Sequence, residues 1–218
     1  SCIDNPSKVS EYILNCRQMG IRILPPDINR STGSFSVEDG SIRYGMAAVK
    51  GIGKPVMEAI VEERERGGLF SSLKDFCQRL SGKEVNKRTI ENFIKAGAFD
   101  SFGGTRKQFM MIYVQVMDTV NQEKKSSMTG QMSLFDLVSD EEKKEYEIRM
   151  PDVEEYDKEM ILAFEKDVLG IYLSGHPLEK YRNIMEKMIS AKTTDFQPDE
   201  ESGIPKVYDG QKVIIGGM

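Results

Sequence analysis

The sequence predicts a mainly α protein with a small β-hairpin near its N-terminus, and three observations predict it. Apolar residues recur at helical spacing in separate stretches, among them Val9, Ile13 and Cys16, then Val56, Ala59 and Ile60, then Phe109, Ile112, Tyr113, Val116 and Val120. Glycine and proline punctuate those stretches at Gly20, Pro25-Pro26, Gly67-Gly68 and Gly97. One short stretch, Phe35, Val37, Ile42 and Tyr44 around Glu38-Asp39-Gly40, alternates instead as the two arms of a hairpin do.

Element by element, Ser7 is placed to cap a first helix that stops at Gly20, and Pro25-Pro26 bars further helix. The pattern turns helical again from Met46. Lys54-Pro55 opens a helix with proline at its first position, and Gly67-Gly68 ends it. Leu69, Phe70, Leu73, Phe76 and Leu80 form the apolar face expected of the next short helix. Ile90, Phe93 and Ile94 form that of a third, ending at Gly97. Thr105 is placed to cap a longer helix through Val120. Residues 121–130 are polar and without period, which reads as a linker, and Gln131 to Leu137 is an apolar island within it. Pro151 and the acids after it open another helix, with Met160, Ile161, Phe164, Val168 and Leu169 as its stripe, running to about Gly175. Thr193 to Pro205 reads as loop, and Val207 to Ile215 as a strand whose sheet is incomplete.

At 218 residues and 39% hydrophobic, the chain can bury one ordinary core or two to three small ones. No run of apolar residues is long enough to cross a bilayer, and residues 1–10 lack the basic-then-apolar order of a secretory leader, so the expected location is cytoplasmic. Cys2, Cys16 and Cys77 lie far apart and His176 is the one histidine, which excludes the paired spacings of a zinc site. Free thiols, no metal and no cofactor are the expectation. Net charge is −5, but its distribution is uneven. Between Arg43 and Lys107 thirteen bases face eight acids, a net +5; between Val138 and Glu159 four bases face ten acids, a net −6. A basic module precedes an acidic one, so a polyanion belongs with the first.

The most pointed local pattern is Val49-Lys50-Gly51-Ile52-Gly53-Lys54-Pro55, set between a short helical stretch and an amphipathic helix. Two glycines flanking one apolar residue let the chain reverse tightly, with Ile52 turned back between the helices. The N–H groups of such a turn face outward at a helix N-terminus, where a phosphate oxygen fits, aided by Lys50 or Lys54. That contact ignores base identity and weakens with salt. Pattern alone leaves open a plain glycine stop followed by a proline-started helix. A degenerate second version runs from Gly97 through Gly103-Gly104 to Arg106 and Lys107, for which an ordinary helix-loop-helix corner with Phe99 in the core is the other reading.

Leu24-Pro25-Pro26-Asp27-Ile28-Asn29, Ile42 through Gly53, Phe70 to Phe76, and Ile94-Lys95-Ala96-Gly97-Ala98-Phe99-Asp100 resemble, in that order, the segment after the catalytic core of the bacterial DNA polymerase III alpha subunits, C-family replicative polymerases. The resemblance implies five parts: residues 1–45 end a fingers domain, 46–120 are a tandem helix-hairpin-helix domain gripping duplex DNA, 121–140 link, 141–192 are a helical connector, and 193–218 begin an OB-fold that is cut short. Lys50, Gly51, Ile52, Gly53, Lys54, Gly97, Arg106 and Lys107 are then the DNA-binding candidates.

Gln131-Met132-Ser133-Leu134-Phe135 is similar to the internal peptide with which this family holds the beta sliding clamp. A glutamine to set register and a Leu-Phe pair to fill an apolar pocket suit an extended docking peptide, although such a pair also tucks readily against its own protein. The implied partners are primer-template DNA, the clamp and other replisome subunits, with no membrane. Asp27, Asp39 and Asp75 stand in separate contexts, unlike the clustered aspartates of a nucleotidyl-transfer centre, so no catalytic residue is expected. His176, in Leu173 to Leu178, reads as a turn residue, and the acids after Val138 as a solvated helical face. Two alternatives share these motifs: a free-standing helix-hairpin-helix repair or recombination module, and a protein-interaction adaptor.

Overall fold

The computed structural model describes residues 6–82, 85–129, 148–198 and 203–216. Two compact units divide the chain, Ser1–Ser174 and Gly175–Met218.

The first unit is mainly helical. Helix α1 (Pro6–Gln18) starts one residue before Ser7, which therefore lies inside it. Strand β1 (Ile23–Leu24) pairs in parallel with β3 (Ser41–Arg43), and β3 pairs antiparallel with β2 (Ser36–Glu38), giving the order β1-β3-β2. Between β2 and β3 both Asp39 and Gly40 have positive φ, 47° and 74°, the turn whose twist matches a hairpin. The hairpin expected from alternation is there; the pairing with β1, two residues long, was too short to leave a pattern.

A 3-10 turn (Met46–Ala48) leads through the Gly51–Gly53 reversal into α2 (Lys54–Gly67), with proline in its first turn. Then come α3 (Leu73–Arg79), capped by Ser72, and α4 (Lys87–Ala96), capped by Asn86. A 3-10 turn (Asp100–Phe102) precedes α5 (Arg106–Thr129), and α6 (Lys158–Leu169) is capped by Asp157. Helix α4 packs against both α5 and α6, and α3 against α5. Phe70, Phe76, Phe93, Phe99 and Phe109 meet among them, with Phe76 and Phe99 edge to face at 5.2 Å. Tyr44 joins this core fully buried, and its hydroxyl donates to the Leu169 carbonyl at 2.9 Å. Burial pushes that phenol up to about 12.

Four sequence expectations need correction. Leu69 is 67% exposed, because it lies in the loop before α3, where helical spacing does not govern direction. The stretch read as linker from residue 121 is helical to Thr129, held by polar side chains: Glu123 pairs with Lys74 at 3.2 Å and takes a bond from Gln78, and Lys124 donates to the Ser81 carbonyl. The helix placed from Pro151 to about Gly175 spans only Lys158 to Leu169; residues 151–157 are irregular, with the Val153 N–H turned back onto the Pro151 carbonyl, and Gly170 in the left-handed region ends α6. Of the acids expected on a solvated helical face, Asp152, Glu154, Glu155 and Asp157 are exposed but precede α6 instead of lying on it; Glu165, further along, is 1% exposed and accepts the N–H groups of Leu173 and Ser174.

In the second unit His176 caps a 3-10 turn (Pro177–Tyr181), accepting the Leu178 N–H at its Nδ1, and α7 (Arg182–Met188) follows. The 214 carbonyl accepts from the 190 and 191 N–H groups, and Ile214 N–H donates to Ser190 Oγ. Residues 207–215 form no strand ladder among the described residues, since a strand is defined by a neighbour this segment lacks.

Candidate nucleic-acid interface

The first hairpin is built from the inside out. Ile52, 7% exposed, drops between the 3-10 turn and α2, and its N–H donates back to the Val49 carbonyl at 3.1 Å. Gly51 has φ +75°, which a side chain would strain, and a Cβ there would also press on Asn92 Nδ2 at 3.0 Å. That Asn92 amide, 7% exposed on α4, donates to the Lys50 carbonyl at 2.8 Å and braces the reversal from beneath. Gly53, extended at φ −78° and ψ 159°, begins α2 with no side-chain cap. Gly51, Gly53 and Lys54 are exposed, and no protein acceptor takes their N–H groups among the described residues. Two donors at the positive end of a 14-residue helix, Gly53 and Lys54, and a third at Gly51 just before it, are therefore left for an acceptor from outside the described residues. Lys54, with a side chain 78% exposed, pairs loosely with Glu58 at 3.4 Å.

Lys50 is more constrained. Its N–H donates to the Val168 carbonyl at 2.8 Å, and its ammonium meets Asp167 Oδ1 at 2.8 Å. The same bond holds the Asp167 carboxyl below the usual carboxylate range. Behind Lys50 opens a cleft of about 470 Å³ lined by Lys50, Lys87, Arg88, Glu91, Asn92, Lys95 and Asp167. Lys87 is paired with Asp118, and Lys95 with Glu91 at 2.8 Å and Asp167 at 3.6 Å. Sequence reasoning missed Lys87, Arg88 and Lys95. A signal existed: two cations in the first turn of α4 oppose its dipole, and such rule-breaking marks functional positions.

The second hairpin has the same order of parts and a different surface. Gly97 ends α4 with φ +80°, is buried, and has Arg106 folded directly over it. The Arg106 guanidinium is itself buried, bonded to both oxygens of Asp100 and to the Lys95 carbonyl. Burial raises the Asp100 carboxyl, with Arg106 pulling the other way. At the start of α5, Thr105 and Gln108 cap each other, Gln108 N–H on Thr105 Oγ1 and Thr105 N–H on Gln108 Oε1. The N–H groups of Arg106 and Lys107 donate to Glu155, at 2.7 and 3.0 Å. Gln131, Met132, Ser133, Leu134 and Phe135 lie outside the described residues.

A protein-family pattern described as a helix-hairpin-helix motif matches residues 20–109, which take in the first hairpin and the turn of the second. The DNA polymerase III subunit alpha of Borreliella burgdorferi is 36% identical over 201 residues, 92% of this chain and 18% of its own length. That of Vibrio cholerae is 38% identical over 197 residues, 90% and 17% respectively, and that of Escherichia coli K12 35% identical over 204 residues, 93% and 18%. This chain thus spans less than a fifth of the length of these relatives. Agreement over nine-tenths of the chain, with a hairpin motif where the glycine turns stand, means that the chain belongs to the DNA polymerase III alpha-subunit family.

Proposed function

We propose that this chain grips the backbone of duplex DNA without regard to base order, as one part of a bacterial replicative polymerase. The observation that carries this reading is the open set of N–H groups at Gly51, Gly53 and Lys54. Donors at a helix N-terminus receive a phosphate oxygen with no reorganisation, and Lys54 adds a mobile positive charge beside them. The basic cleft at Lys87, Arg88 and Lys95 extends the same surface toward a neighbouring phosphate. Gly97 and Arg106 serve here by shaping the second turn from within, and Lys107, partly exposed, supplies its cation. In the family-wide arrangement this grip lies beyond the fingers, with residues 46–120 as the tandem hairpin domain, 141–192 as connector and 193–218 as the beginning of an OB-fold.

The reading extends to a tether. Gln131 to Phe135 dock on the sliding clamp, Leu134 and Phe135 filling an apolar pocket and Gln131 fixing register. Burying the pair contributes roughly 3–6 kcal/mol before the segment's ordering cost, which suits a micromolar contact. Grip and tether together support processive synthesis.

Fluorescence anisotropy of a labelled primer-template duplex, titrated with wild type and Lys54→Glu, tests the grip. Several-fold weaker binding is expected, with a shallower dependence on salt by about one unit of log–log slope. Identical affinity and slope in the two proteins would remove DNA from the reading. For the tether, Leu134→Ala/Phe135→Ala is titrated against a bacterial sliding clamp, and binding equal to wild type would remove the clamp.

A further inference from the structure

An acidic side chain of this protein sits where the second hairpin would hold a phosphate. Helix α5 has four N–H groups at its start with no partner inside the helix, as every α-helix does. Thr105 and Gln108 satisfy two of them by capping each other, at 2.8 and 3.1 Å. Glu155 takes the other two, one oxygen on Arg106 N–H at 2.7 Å and the other on Lys107 N–H at 3.0 Å. A carboxylate straddling two adjacent amides of a helix N-terminus, with the Lys107 cation at hand, makes the same contacts as two oxygens of a phosphate.

Glu155 reaches this place on an irregular strap, not from a packed helix. The Pro151 carbonyl accepts from Gln108 Nε2 at 2.8 Å, Met150 lies against Gly104, and the Lys107 ammonium stands 5.8 Å from the centre of the Tyr156 ring. Met150, Asp152, Glu154 and Glu155 are all exposed, so the strap lies on the surface. At the corresponding N-terminus of α2, no acceptor from the chain takes the N–H groups among the described residues.

We infer that Glu155 is a tethered stand-in for a DNA phosphate, competing for the second hairpin's amides and holding that half of the grip in reserve. The inference rests on the DNA reading above. Physically, the exchange is close to balanced: the same two N–H groups are satisfied by carboxylate or by phosphate, and what favours Glu155 is its high local concentration. DNA held at the first hairpin gains the same advantage and displaces it.

The test measures duplex affinity of the 218-residue chain as wild type, Glu155→Ala, Glu155→Gln and Glu154→Ala, with Lys54→Glu alongside and a thermal melt of each. Glu154 is exposed and one residue away, so its loss removes the same charge without vacating the amides. Three- to tenfold tighter binding by both Glu155 variants than by Glu154→Ala is expected. Should Glu155→Ala melt early, Glu155→Gln, which keeps the side chain's shape, decides alone. Affinity in the Glu155 variants no tighter than in Glu154→Ala, while Lys54→Glu still weakens binding, overturns this inference and leaves the DNA reading standing. Insensitivity to Lys54→Glu as well overturns the DNA reading itself.

Discussion

The two hairpins are written in the same local grammar, a helix, a glycine in the left-handed region and a second helix, yet one presents its amides to water and the other spends them inside the chain. At Gly51 to Lys54 the rest of the protein contributes only supports from below: Ile52 in the core, Asn92 on the Lys50 carbonyl, Val168 on the Lys50 N–H. At Gly97 to Lys107 it contributes a buried arginine over the glycine and a glutamate over the amides. Motif alone therefore does not determine whether a turn can hold an anion; what the later chain brings to it does.

The largest test of that contrast is Arg106→Ala. It removes the cation 3.7 Å from the buried Glu165, which keeps only the Leu173 and Ser174 N–H groups, and the partner of the half-exposed Asp100, and should cost roughly 3 kcal/mol in urea denaturation. The folded fraction should keep near-normal DNA affinity, the reverse of Lys54→Glu. A glycine pair comes next. Gly97→Ala combines left-handed strain with a clash against Arg106 and Asp100, whereas at Gly51 the added methyl meets only Asn92. Left-handed strain alone costs about 1–2 kcal/mol, so Gly51→Ala should lose about that much and Gly97→Ala clearly more. Equal losses would show that the second turn is less tightly filled than its contacts indicate.

The smallest expected effect concerns the clasp on Lys50. Lys50 holds Asp167 below its ordinary range, so the pair's stabilisation is fully present above the unfolded aspartate value of about 3.9 and is lost as pH falls through the lower folded value. Both side chains are half exposed, so the contribution is roughly 0.2–1 kcal/mol at neutral pH. Melting curves of wild type and Asp167→Asn should differ by that small amount near pH 7 and converge toward pH 2. In the binding assay, the released Lys50 should tighten duplex binding modestly.

Much of the fold was legible because short-range rules decide it. Ile90, Phe93 and Ile94 carry α4, Pro55 starts α2, and Asp39-Gly40 makes the hairpin turn. Two of the misreadings share one cause, long-range contact. Residues 121–129 look polar and aperiodic, but Glu123 and Lys124 are helical because α3 and the Ser81 carbonyl hold them. Pro151 to Asp157 look like a helix start, but Asp157 is the cap, and Glu155 is drawn off to α5. Gly-Ile-Gly left open whether the first turn was an anion site or a plain glycine stop; at the second, the corner with Phe99 in the core was readable, but not the occupant of its amides, which comes from 48 residues later. Arg106 and Lys107 look alike in sequence, and only packing distinguishes the buried one from the one at the surface.

The bond from Lys50 to the Val168 carbonyl has a practical consequence for anyone cutting this gene. A protein ending after α5 would include every residue of both glycine turns and none of α6, leaving the Lys50 N–H without its acceptor and the Tyr44 hydroxyl without Leu169. The compact unit carrying both turns runs to Ser174, so expression boundaries belong beyond that residue. On the ribosome, likewise, the first turn cannot settle until more than a hundred further residues, through Val168, have been translated.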